Sequence, residues 1–149
     1  MLLAIDPGAD MGWARFDHGR LVGCGVGGDL DGLDRCLWRP TRVVLERPMI
    51  YPHGRQKARP RDVITLALRA GERAGLYGLR YNVEPEYFEP DEWKGGSISK
   101  EAHHPRVWKR LADEEKRVAS LAGQLVPEKK HHNMLDAIGI GLFALGINR

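Results

Sequence analysis

The spacing of apolar residues changes along the chain, and the changes divide it into elements. Leu2, Leu3, Ala4 and Ile5 form an unbroken apolar run closed by Asp6 and the Pro7-Gly8 turn signal, the pattern of a strand buried on both faces. Residues 12–16 read as its partner, and Arg20 to Val26 as a third strand after Asp17-His18-Gly19, so the chain opens as an antiparallel meander. Leu30, Leu33 and Leu37 then recur at helical spacing, which predicts a short crossover helix over 30–38 ended by Pro40. Val43, Val44 and Leu45, closed by Glu46 and Arg47-Pro48, predict a buried parallel strand returning beside the first.

Farther on, Asp62 is placed to cap a helix running to about Tyr77, with Val63, Leu66, Ala67, Ala70 and Ala74 on one face. Residues 86–89 predict a fifth strand, and 100–123 one or two charged surface helices. Residues 133–147 form a strongly apolar helix with Leu135, Ile138, Leu142 and Leu145 directed inward. Three early strands, a crossover helix, two more strands and a final buried helix predict an α/β fold, a mixed five-stranded sheet covered by helices.

Length bounds this picture. At 149 residues there is room for a single domain, 1–149, with a substantial core. The opening apolar run is too short for a signal peptide or a membrane span, so a soluble, intracellular protein without membrane partners is expected. Cys24 and Cys36 have no CxxC spacing and suggest neither a disulfide framework nor zinc. The pairs His103-His104 and His131-His132, without cysteines at ligand spacing, do not make a zinc site either. The net charge of +3, from 23 basic and 20 acidic side chains, is a modest bias toward a polyanionic partner.

The chemical signal lies in three acids at positions where an acid is costly. Asp6 ends one buried strand, Glu46 ends the other, and Asp136 interrupts the apolar run Met134-Leu135-Asp136-Ala137-Ile138. Buried carboxylates are expensive unless paired, hydrogen-bonded or bound to a cation. If the first and fourth strands are neighbours, Asp6 and Glu46 stand side by side, and the last helix can bring Asp136 to them. Oxygen ligands of this kind suit Mg²⁺ or Mn²⁺. Two such ions roughly 4 Å apart serve in-line phosphodiester hydrolysis by activating water on one side and stabilising the leaving oxygen on the other. The plainer alternative is that each acid separately caps a helix, closes a strand or forms a salt bridge.

Ala4-Ile5-Asp6-Pro7-Gly8, Gly12-Trp13-Ala14, Val44-Leu45-Glu46 and Leu135-Asp136-Ala137-Ile138, in this order, resemble the RuvC family of Holliday-junction resolvases. The opening Asp-x-Gly hairpin is shared with actin-like kinases and ribosomal-RNA-processing nucleases, and the closing Asp-Ala-Ile motif sharpens the match. The resemblance implies a ribonuclease-H-like fold, a homodimer, and paired metal-dependent nicks in a four-way DNA junction, with no small-molecule cofactor. It assigns Asp6, Glu46 and Asp136 as metal-binding acids. The family places an Asp or His three residues before the last acid; this sequence has Asn133 there, preceded by His132, and either can reach a second ion from the same helix face. Alternatively His131-His132 joins Lys129-Lys130 as a solvated basic edge. Lys100 resembles a family lysine that stabilises the scissile phosphate. The compact length and abbreviated middle resemble phage-borne or otherwise minimal members.

Between Glu46 and the next helix, Arg55, Lys57, Arg59 and Arg61 alternate with other residues, so an extended chain puts all four on one side as a phosphate track. Tyr51 stands near where family members place an aromatic that stacks at the junction crossover, a contact worth about 1–3 kcal/mol against an unpaired base; a core tyrosine is the other reading. Lys94, Lys100, Arg106 and Lys109 make a second basic group. Trp38, Trp93 and Trp108 are expected in packing or at the dimer interface. Three competing classes follow: an actin-like phosphate-binding kinase, a non-catalytic junction-binding module that has lost a ligand at Asn133, and a nuclease for another branched or hybrid duplex.

Overall fold

The computed structural model describes residues 1–27, 38–49, 59–95 and 100–147, without the side chains of Lys100 and Glu101. The expected crossover helix over 30–38, apart from Trp38, lies outside the described residues, as do Cys36, Tyr51, Arg55 and Lys57. The described strands are β1 (Leu2–Asp6), β2 (Gly12–Asp17), β3 (Arg20–Val26), β4 (Arg42–Glu46) and β5 (Glu86–Phe88). They form one sheet in the order β3-β2-β1-β4-β5. β1 pairs antiparallel with β2 and parallel with β4, and β5 extends the parallel half.

Each face of the sheet has its own core. Leu3, Ile5, Val43 and Leu45 face α1 (Pro60–Tyr81) and pack with Ala74 and Tyr77. Leu2, Ala4, Ala14, Phe16 and Val44 face the opposite layer and pack with residues of α5 (His131–Ala144) and with Trp93, Val107 and Ala119. Those three belong to α2 (Pro90–Lys94), α3 (Lys100–Arg110) and α4 (Asp113–Gln124) respectively. This is the mixed five-stranded sheet flanked by helices that the element order predicts.

Several local expectations are corrected. α1 begins at Pro60, two residues before Asp62, because a proline lacks the N–H that the first helical position leaves unpaired. Asp62 therefore lies in the first turn and does not cap. The helix runs on past Tyr77 to Tyr81 and stops where Asn82 turns left-handed, φ 53°, and donates its N–H to the Gly78 carbonyl. On its inner face Val63, Ala70, Ala74 and Tyr77 are buried, while Leu66 is half-buried and Ala67 exposed.

Helix α5 starts two residues earlier than its apolar run, at His131, after a 3₁₀ turn at Glu128–Lys130. It lies between the sheet and α3, so burial spreads around most of its circumference: Met134, Asp136 and every residue from Ala137 to Leu142 are buried. Leu135 and Leu145 are half-buried at the core edge rather than central. Gly141 permits the close approach to β2, since a Cβ there would stand 2.1 Å from the Phe16 ring.

Trp93 is buried and Trp38 half-buried in the two cores, whereas Trp108 is exposed on α3. Among the described residues, no helix is long and apolar enough to cross a membrane.

Candidate active site

Parallel register carries two of the acids to one place. Ile5 is opposite Leu45, so Asp6 and Glu46 are the next residues of neighbouring strands at the same end of the sheet. Side chains alternate along a strand, and Ala4 and Val44 face the α5 layer; Asp6 and Glu46 share that parity. Asp136 projects from α5 into the same layer and is 3% exposed. The carboxylate of Asp6 lies over the turn that follows it, where a Cβ on Gly8 would be 3.9 Å from both of its oxygens.

A cation from the chain itself stands among these acids. Lys94, the last residue of α2, places its Nζ 3.2 Å from Glu46 Oε2 and 3.9 Å from Asp136 Oδ2, with the ammonium 4.4 Å from the centre of the Trp93 ring. Burial works against its charge, but Glu46, Asp136 and Asp6 together outweigh burial and hold its pKa above the ordinary lysine value. In sequence Lys94 belongs to the second basic group with Lys100, Arg106 and Lys109. Nothing in local spacing distinguishes it from them; only the docking of α2 beside the sheet end brings it to the acids.

His104 is the second unexpected partner. Its Nε2 lies 3.0 Å from Asp136 Oδ1, with the ring 17% exposed. The two oxygens of Asp136 thus have different neighbours, His104 on one and Lys94 on the other. The adjacent His103 is buried edge-on against Trp93, ring centres 5.0 Å apart. Burial pushes its pKa down to about 4; Asp136 opposes that shift, and Lys94, His104 and Arg110 add to it.

The remaining expected site residues are more scattered. Asn133 is half-buried at the start of α5, its backbone carbonyl pressed against Gly12 of β2. His132 is half-buried and lines an open groove of about 630 Å³ together with His104, Glu128, Lys129, His131 and Leu135. The basic edge expected around it is divided. His131 lies against the carbonyls of Gly123 and Val126 at 3.0 and 2.9 Å, and Lys130 pairs with Asp10 in the β1–β2 loop at 2.6 Å. Arg59 precedes α1 and Arg61 lies in its first turn, both exposed, as are Arg106 and Lys109 on α3. Lys100 opens α3, but its side chain is outside the described residues, as are Tyr51, Arg55 and Lys57.

The donor chemistry fits a hard divalent cation: three carboxylates, with Glu46 Oε2 buried and receiving no well-directed hydrogen bond among the described residues. The described residues do not hold three or more such ligands gathered as a finished metal cage. Instead Lys94 provides the positive charge between Glu46 and Asp136, and any divalent ion bound there would compete with the ammonium for the same carboxylate oxygens.

No protein-family model and no curated protein matches this sequence. Among solved structures, the chain shares its overall fold with RuvC structures. The chain is similar to T. thermophilus RuvC in complex with a Holliday junction substrate, with a TM-score of 0.59 and 18% identity over 95% of this chain and 90% of that one. It is also similar to a further Thermus thermophilus RuvC structure, at a TM-score of 0.52 and 20% identity over 98% and 96% of the two chains.

Proposed function

We propose that this protein is a metal-dependent, structure-specific endodeoxyribonuclease that makes paired nicks in four-way DNA junctions. The observation that supports the reading is the placement of Asp6 and Glu46 at the same end of two neighbouring parallel strands, with Lys94 3.2 Å from Glu46 and 3.9 Å from Asp136 of the buried helix, on a fold similar to a junction-bound RuvC. Asp6, Glu46 and Asp136 would hold Mg²⁺ or Mn²⁺. Such an ion, when bound, supplies an activated water and charge stabilisation at the leaving oxygen. Lys94 neutralises the acids and, when displaced from them, is a cation for the scissile phosphate. His104 orients the Asp136 carboxylate. In this reading Arg55, Lys57 and the exposed Arg59 and Arg61 form the phosphate track, Tyr51 stacks on a base at the crossover, and Lys100 stabilises the scissile phosphate. A four-way junction presents two symmetry-related strands, which suits a homodimer with two sites. The exposed apolar residues Ile64, Leu68 and Leu79 along α1 support a second copy as the partner.

One observation favours a second reading, a junction-binding protein that does not cut: Asn133 supplies no acid, and Lys94 already balances the carboxylates. Cleavage of labelled four-way junction and matched linear duplex with Mg²⁺, Mn²⁺ or EDTA, comparing wild type with Asp6→Asn, separates the two. Symmetric nicking of the junction alone, dependent on metal and lost in Asp6→Asn, is the expected result. Tight junction binding without cleavage in either metal overturns the nuclease reading.

A further inference from the structure

We infer that His104 is a nitrogen ligand of the metal centre, contributed from α3, which makes good the donor that Asn133 lacks. The inference rests on the metal-dependent reading above and adds a residue to it. His104 Nε2 and Asp136 Oδ1 are 3.0 Å apart. That contact is a hydrogen bond in this structure. Two donors at right angles on one octahedral ion, with bonds of about 2.1 Å, also stand about 3 Å apart, so the pair can exchange the shared proton for an ion by turning the imidazole, with little change in separation. The oxygen involved is the one directed away from Lys94, which lies 3.9 Å from Oδ2. Asp136 can therefore serve a first ion with Glu46 and Asp6 through Oδ2, and a second ion with His104 through Oδ1.

Access and support agree with this role. The His104 ring borders the same open groove as His132, so an ion and its waters can reach the Oδ1 side without passing through the protein core. The ring is held from behind by His103, 6.0 Å away between centres, which is itself wedged against Trp93. A ring supported in this way loses little further freedom on binding. Imidazole also biases the second position toward Mn²⁺ over Mg²⁺, because even a weakly binding transition-metal ion accepts a nitrogen donor more readily than a hard alkaline-earth ion does.

The test is Mn²⁺ binding to the full chain without DNA, followed by calorimetry and by pulsed electron paramagnetic resonance of the bound ion. The variants are His104→Ala, His104→Asp and His132→Ala. Wild-type protein is expected to show ¹⁴N coupling from a directly bound imidazole. The coupling should disappear in His104→Ala and His104→Asp and persist in His132→Ala. Affinity for the weaker-bound ion should fall about 10- to 100-fold in His104→Ala and largely recover in His104→Asp, whose carboxylate replaces the donor and whose recovery shows that the variant folds. Mn²⁺ bound without ¹⁴N coupling in wild type, or coupling that survives in both His104 variants, overturns the assignment while leaving the acids as the metal site. Absence of Mn²⁺ binding in wild type overturns both this assignment and the metal-dependent reading on which it stands.

Discussion

Gly12 and Asn133 meet backbone to backbone: a Cβ on Gly12 would stand 2.0 Å from the Asn133 carbonyl oxygen and 2.4 Å from its carbonyl carbon. Gly12 is the register partner of Asp6, and Asn133 lies one helical turn before Asp136. The contact therefore sets the distance between the strand that carries one acid and the helix that carries another.

Gly12→Ala must push α5 away from β2, because backbone atoms cannot yield as a flexible side chain would. The expected loss is about 1–3 kcal/mol of stability, the ordinary cost of overpacking. Junction cleavage should fall roughly a hundredfold even under conditions where the variant is folded, since small misplacements of reacting groups are costly. Urea unfolding together with cleavage assays checks both effects. Wild-type cleavage by a destabilised Gly12→Ala protein would show that the site does not depend on this spacing.

Lys94 makes the opposite kind of prediction, one in which metal restores what a mutation removes. Lys94→Met leaves Glu46, Asp136 and Asp6 without the ammonium that balances them, and loss of one partner from a buried charge cluster costs about 3–5 kcal/mol. In EDTA the variant should be less stable by an amount approaching that range. Mg²⁺ should then stabilise it more than it stabilises wild type, because the ion no longer competes with Lys94. Unfolding curves with EDTA and with saturating Mg²⁺ provide the check. An equal deficit under both conditions would mean that Lys94 matters only for packing against Trp93.

Much of this arrangement is legible in the sequence, and the parts that are not have physical reasons. β1 and β4 are readable because strands buried on both faces are continuous apolar runs, and the acids are readable because each interrupts or ends such a run. α1 starts earlier than its sequence suggests because Asp62 is a good capping residue, whereas Pro60 fits the first helical position without one. The roles of Lys94 and His104 are not legible for a different reason: they arise where α2 and α3 dock, and a basic residue on a short or charged helix carries no local mark of its partner. His131 likewise reads as part of a basic edge until the turn before α5 brings two backbone carbonyls to its ring.

Glu115 shows the same limit within the core and yields a stability prediction. It is 1% exposed, and its carboxylate accepts hydrogen bonds from the backbone N–H of Ala112 at 2.7 Å and of Leu21 at 2.9 Å. One bond caps α4 and the other fastens that helix to β3. Glu115→Ala should cost about 2–4 kcal/mol, because it leaves two buried donors unmet as well as a void. Glu115→Gln, whose amide oxygen can still accept, should recover part of that loss. Denaturant midpoints of the two variants give the comparison, and equal losses would place the contribution in packing rather than in the hydrogen bonds.

Cys24 offers a pH-dependent test away from the acids. Burial pushes its thiol up to about 12 from an ordinary value of 9.0, against a smaller opposing effect of the Arg15 charge. The folded chain therefore keeps a proton that the unfolded chain releases above pH 9. This contribution to stability is complete below pH 9 and is lost as pH rises toward 12, with a slope of up to about 1.4 kcal/mol per pH unit. In a Cys36→Ser background, Cys24 should resist a thiol-specific reagent at pH 8 in native buffer and react at once in urea. Replacing it by alanine should flatten the fall of stability between pH 9 and the alkaline limit of the assay. Rapid native labelling at pH 8, or an unchanged slope in Cys24→Ala, would mean that the β3 edge opens readily enough to expose the thiol, and that burial does not hold its proton.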